Sequence, residues 1–137
     1  MYTIYDLKTA LTNNGLYYRL SDDSTAIFVP CVCYEHCKIA YGINLKEFNY
    51  SYVYMLMDCD LTYNRRIPEV EQLCNQINRH NIALRAYLTE NNRLRFMIGS
   101  FLPNNTTTAH DIVIQTLILG GEIVDDYYED FAKLRWS

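Results

Sequence analysis

The sequence predicts an α+β domain: a meandering antiparallel β-sheet of about five to six strands, packed by an N-terminal helix, a central helix and a long C-terminal helix. Three observations predict it. Apolar residues recur at helical spacing at the start, middle and end of the chain, and at a spacing of two in the segments between them. Turn-forming residues separate these segments. The chain has 137 residues, 50% hydrophobic and 20% charged, close to the commonest size and composition of one domain. No repeat or low-complexity stretch divides it, so residues 1–137 are expected to form a single domain.

Thr3 followed by Asp6 has the form of a capping box, and Ile4, Leu7 and Leu11 carry a first helix as far as Asn13-Asn14-Gly15. Leu16 to Leu20 and Thr25 to Val29 flank Ser21-Asp22-Asp23-Ser24 and predict a hairpin. Pro30 lacks a ladder donor, which makes Cys31 to Tyr34 an edge, a bulge or a kinked continuation. Alternation from Cys37 through Ile39, Tyr41, Ile43 and Leu45 predicts a strand, and Tyr50 to Asp58 predicts another. In the latter, Val53, Met55 and Met57 share one face and Tyr50, Tyr52 and Tyr54 the other. The aliphatic face is expected to meet the helices.

Ile67-Pro68-Glu69 opens a helix that should run to about His80, with Val70, Leu73, Cys74 and Ile77 as its stripe. Ile82 to Thr89 and Arg93 to Leu102 flank Glu90-Asn91-Asn92 as a second hairpin. Asn104, Asn105 and Thr106 to Thr108 offer N-caps for a last helix carrying Ile112, Val113, Leu117, Ile123, Val124 and Tyr127. Within it, Gly120-Gly121 costs about 2 kcal/mol against alanine and predicts a kink, a tight contact or two consecutive helices.

Composition narrows the function. Thirteen tyrosines and five phenylalanines suit a sheet face that is apolar at its base and polar at its rim, as recognition surfaces are. A net charge of −4 and a pI near 5.3 argue against nucleic acid as a partner, since binders that rely on phosphate contacts carry a basic stripe. Met1 to Asp6 shows no positive segment followed by an apolar run, so no signal peptide is expected, and no stretch approaches the roughly 20 apolar residues of a membrane span. Five cysteines, an odd number, make a poor disulfide framework. A cytoplasmic location is expected, with no membrane association and most cysteines buried as small hydrophobes.

The order of elements resembles the YbjN family, which shares the fold of type III secretion chaperones. The resemblance rests on Ile67-Pro68-Glu69-Val70, on Cys74-Asn75-Gln76-Ile77-Asn78, and on Ala86-Tyr87-Leu88 with Leu94-Arg95-Phe96, which look like the family's central helix with its Asn-x-x-Asn end leading into a hairpin. It covers roughly the carboxy-terminal half, with the amino half matching only in element order. An asparagine such as Asn78 also has a plain use there as a helix cap. The resemblance implies a non-enzymatic bacterial module that binds another protein, often as a homodimer.

Candidate site residues fall in two groups. Tyr50, Tyr52 and Tyr54, with Arg85, Tyr87, Arg93 and Arg95 on the second hairpin, would form an aromatic and guanidinium partner-binding face. The competing use of the same residues is pairing within the sheet. Cys31, Cys33, His36 and Cys37 form a Cys-x-Cys-x-x-His-Cys cluster of thiol and imidazole ligands that zinc accepts; it lacks a second ligand pair at longer spacing, although Cys59 could supply a remote ligand. His36, His80 and His110 sit in no catalytic motif, and no nucleophile elbow, phosphate loop or His-Glu-x-x-His pair is present. Asp125, Asp126, Glu129 and Asp130 are expected on a solvated helix face. No catalytic residue and no cofactor is predicted. The leading expectation is a protein-binding adaptor or chaperone-like regulator using the aromatic and arginine face or the last helix. The alternatives are a small inhibitor or immunity protein that blocks a toxin or nuclease, and a metal-binding protein built on the Cys/His cluster.

Overall fold

The computed structural model describes residues 1–47 and 49–137. The α+β architecture is as predicted. In chain order the elements are α1 (Ile4–Asn13), β1 (Arg19–Leu20), β2 (Ala26–Cys33), β3 (Lys38–Glu47), β4 (Ser51–Asp58), α2 (Ile67–His80), β5 (Leu84–Leu88), β6 (Leu94–Leu102) and α3 (Thr106–Trp136). They build one six-stranded sheet in the order β1-β2-β3-β4-β6-β5, antiparallel at every pairing.

The meander therefore holds only through β4. Helix α2 carries the chain past the next sheet position, so β5 lands on the outer edge and β6 returns to pair with β4. The hairpin turn is Glu90-Asn91-Asn92, with Asn92 in the left-handed region at φ 59°. This is the conformation that ends a three-residue hairpin loop.

All three helices lie over one face of the sheet. Ile27, Val29, Ile39, Tyr41, Ile43, Val53, Met55, Met57, Phe96 and Ile98 point inward and are buried against Val70 and Ile77 of α2 and Val113, Leu117, Val124 and Phe131 of α3. The division of β4 expected from alternation is observed: Val53, Met55 and Met57 are fully buried, while Tyr52 and Tyr54 are only half-buried on the other side. The Thr3–Asp6 capping box forms, and Asn105 caps α3 by accepting from the Thr108 N–H at 2.9 Å.

Helix α3 does not break at Gly120-Gly121; of the predicted outcomes, the structure shows the tight contact. A Cβ on Gly120 would lie 3.0 Å from Met57 Sδ and Ile98 Cγ2, and one on Gly121 would run into the Tyr34 and Tyr41 hydroxyls. Residues three and four positions on from Leu117 flank its carbonyl in a helix, so these two glycines leave that carbonyl open. Tyr41 Oη donates to it at 2.9 Å and lies 2.6 Å from Tyr34 Oη. Tyr63 likewise donates to the Phe131 carbonyl at 2.7 Å, and Tyr2 Oη sits 2.6 Å from His110 Nδ1. Part of the tyrosine surplus thus fastens α3 to the rest of the molecule.

The open edge of β5 is closed by a side chain. Asn78 Oδ1 accepts from the Ala86 N–H at 2.7 Å and Asn78 Nδ2 donates to the Ala86 carbonyl at 3.0 Å, imitating the next strand of a ladder. The helix end itself is capped by Asn81, whose backbone N–H and Nδ2 both reach the Ile77 carbonyl. Asn78→Ala should cost about 1–2 kcal/mol for two part-buried hydrogen bonds. A lowered urea midpoint and faster exchange of the Ala86 amide would check it.

Candidate functional site

The second face of the sheet carries no helix among the described residues. Its side chains come from the outward positions of all six strands, and the register aligns them in rows. One row runs Arg19, Phe28, Gly42, Leu56, Met97, Arg85 from edge to edge. Beside it Ala26, Asn44, Tyr54 and Gly99 align, and then Lys46, Tyr52 and Phe101.

Small residues shape this surface. Ala40 and Gly42 form a low floor beside Leu56, with Phe28, Pro30 and Cys31 on one side and Arg93 and Arg95 on the other. Together they line a trough of about 530 Å³, within the usual range of ligand sites. A second hollow of about 260 Å³ lies against Tyr52, Tyr54, Ala83, Met97 and Gly99. The Tyr52 ring lies over Gly99, where a Cβ would be 2.7 Å from Cζ, so that glycine is a seat for an aromatic ring.

The predicted aromatic and guanidinium residues separate into two ends. Tyr50 and Tyr52 pack edge-to-face on Phe101, with ring centroids 4.9 and 5.1 Å away. Tyr54 is the neighbour of Gly99 in the ladder. At the far end Arg93 makes a bidentate pair with Asp58, 2.5 Å from Nε and 2.8 Å from a terminal nitrogen, and reaches Asp60 at 3.1 Å. Arg95 Nε approaches the same Asp58 oxygen as Arg93 Nε, at 3.5 Å, with Tyr87 opposite it in register. Burial raises the Asp58 carboxyl, but the Arg93 hydrogen bonds and both guanidinium charges outweigh it and hold the group below the ordinary carboxylate value. Arg85 turns away to donate to the carbonyls of Asn81 and Leu84.

Internal pairing therefore occupies Arg93 and Arg85, while Arg95 remains half-exposed at the trough. Leu56 shares the face of Tyr52 and Tyr54, and Met97 that of Phe101; these apolar residues are not among the predicted site residues, although period-two alternation is the signal that places them there. Phe28 and the bulge beside it belong to the face as well.

The Cys/His cluster does not converge on one point. Cys31 and Cys33 stand on the open face with Sγ atoms 3.9 Å apart. His36 and Cys37 turn to the helix side instead, where Asp125 takes both. Its Oδ1 accepts from the backbone N–H of His36 at 2.8 Å and of Cys37 at 3.0 Å, and its Oδ2 lies 3.1 Å from His36 Nδ1. Asp125 was expected on a solvated face, yet it is buried. Burial pushes its carboxyl up, and the backbone and ring hydrogen bonds of His36 with the Cys37 thiol overcome this, so its pKa is lowered. Donating its ring N–H to Asp125 raises the pKa of His36.

This Cys-His-Asp grouping is a poor nucleophile. The Cys37 thiol is pushed up to about 12, first by burial and then by donating to Asp125, which is the reverse of thiolate activation. Among the described residues, Glu35, His36 and Asp125 are the one group of three or more His, Cys, Asp or Glu side chains close enough to share a cation. Both Asp125 oxygens already serve as acceptors, so the group functions as a clasp between the β2–β3 turn and α3. The expectation that most cysteines are buried holds for Cys59 and Cys74, fails for Cys31 and Cys33, and is met halfway by Cys37.

No protein-family model matches the chain, and no curated protein matches its sequence. Among the described residues, no helix is long and apolar enough to cross a membrane.

Proposed function

We propose that this chain is a non-catalytic protein-binding module, an adaptor or chaperone-like regulator, that receives an extended apolar segment of its partner on the helix-free face of the sheet. The observation that carries the reading is the exposure of large apolar side chains along that face: Phe28 at 43%, lining the trough, with Met97 at 37% and Phe101 at 62% further along the same face. Contiguous apolar surface of this kind, rimmed by polar groups, is a mark of interaction sites. The trough adds a charge preference. Lys38, Arg93 and Arg95 face Asp58 and Asp60 there, and Arg95 has a single long contact. The partner segment should place an aliphatic or aromatic side chain over Gly42 and Leu56 and a carboxylate against Arg95.

The element order, with a hairpin and a long helix after α2, supports kinship with the YbjN family and the secretion chaperones. A homodimer in the cytoplasm belongs to the same reading, and the odd cysteine count supports the location.

Selection from a displayed random-peptide library tests the site without a known partner. Recovered peptides should pair an apolar residue with a neighbouring acid. Their affinity should fall about tenfold or more for Phe28→Asp combined with Met97→Asp, a loss of about 1.4 kcal/mol. Equal binding to wild type and variant would show that the face is not the recognition surface. Sedimentation of the same pair of proteins reports whether a second copy covers it.

A further inference from the structure

Regular alternation along β2 would send Cys31 and Cys33 into the core, because Ile27 and Val29 point there. A bulge prevents this. Val29 pairs with Tyr41 and Val32 with Ile39, so β2 fits one more residue than β3 in the interval. Pro30 and Cys31 both face outward, Val32 returns to the core side, and Cys33 faces outward again. Since β1 pairs only with Ile27 and Phe28, the outer side of β2 beyond them has no neighbouring strand among the described residues. Two exposed thiols therefore stand 3.9 Å apart at the rim of the trough.

We propose that Cys31 and Cys33 form a two-thiolate binding site for a soft monovalent cation, copper(I) being its physiological member. Ligand type points to a soft metal. Ligand number then selects among the soft metals. Among the described residues, no third His, Cys, Asp or Glu ligand atom joins the two thiols within 4.8 Å, which leaves tetrahedral zinc with half of its shell. A two-coordinate d10 cation needs no more than the pair supplies. Charge agrees: two thiolates and one monovalent cation leave a net −1, and Lys38 is the register partner of Cys33.

The step balances without an oxidant or reductant. Two S–H bonds are exchanged for two sulfur–metal bonds, two protons pass to solvent, and copper enters and remains as copper(I). Cys31 also lines the trough, but copper(I) withdrawal and peptide binding are read by separate measurements, so either proposal can fail without the other.

The test uses the full reduced chain under anaerobic conditions, competing for copper(I) against a coloured copper(I) chelator. Wild type should withdraw one equivalent. Cys31→Ser and Cys33→Ser should each weaken withdrawal at least tenfold, while Cys37→Ser leaves it unchanged, and X-ray absorption should show two sulfur neighbours. Thermal midpoints of the metal-free variants check that the fold persists. Failure of wild type to withdraw copper(I), full uptake by either serine variant, or tighter stoichiometric retention of zinc by the same two thiols would each overturn the assignment.

Discussion

Gly121→Ala should lower the stability of this protein by about 2–4 kcal/mol, although the same change in an ordinary helix interior adds about 1 kcal/mol. The inversion follows from what the glycine faces. A methyl group there would run into the Tyr34 and Tyr41 hydroxyls, both joined to the Leu117 carbonyl. Overpacking costs about 1–3 kcal/mol. Displacing the hydroxyl pair strands at least one buried polar group, at a similar cost. Gly120→Ala is the control, because its new Cβ would meet the flexible end of Met57 and a methyl of Ile98 at 3.0 Å. It should lose less than half as much. Urea midpoints of the two variants check both; a neutral or stabilising Gly121→Ala would refute the role given to the tyrosine pair.

This position also shows where sequence reasoning stopped. Local signals were sufficient for the elements: the Thr3–Asp6 box, Pro68 in the first turn of α2 and the Val53, Met55, Met57 stripe each act within a few residues, and each is where it was expected. What two glycines do in a helix depends on residues about 80 positions away, and nothing near them names Tyr34 or Tyr41. The order of β5 and β6 is equally non-local, since antiparallel pairing permits either strand beside β4. Within the site, period-two alternation correctly grouped Tyr52 with Tyr54. At Cys31 and Cys33 it could not decide, since Pro30 left an edge, a bulge or a kink open; the bulge is what forms, and its one inserted residue reverses the direction of those that follow. Asp125 was hidden for another reason: a run of acids looks like solvated surface, and only the arrival of the β2–β3 turn buries its first member.

Asp125→Ala should cost about 2–4 kcal/mol, because it leaves the His36 and Cys37 backbone N–H groups without their acceptor. The loss should be pH-dependent on two limbs with opposite signs. The folded Asp125 carboxyl titrates below its unfolded value of about 4. Its contribution is fully present above that pH and is lost as pH falls through the lower folded value. His36 titrates above its unfolded value of about 6.5, with the Asp125 hydrogen bond as the largest cause. That contribution is present below pH 6.5 and disappears as pH rises through the folded value. The difference in urea midpoint between wild type and Asp125→Ala should therefore be greatest between about pH 4 and 6.5 and shrink on either side. His36→Gln should flatten the alkaline limb and leave the acid limb in place. A difference independent of pH would mean that Asp125 acts by packing alone. Because Cys33 and Lys38 flank the clasped turn, the same variant should also loosen the side of the trough that carries the thiol pair.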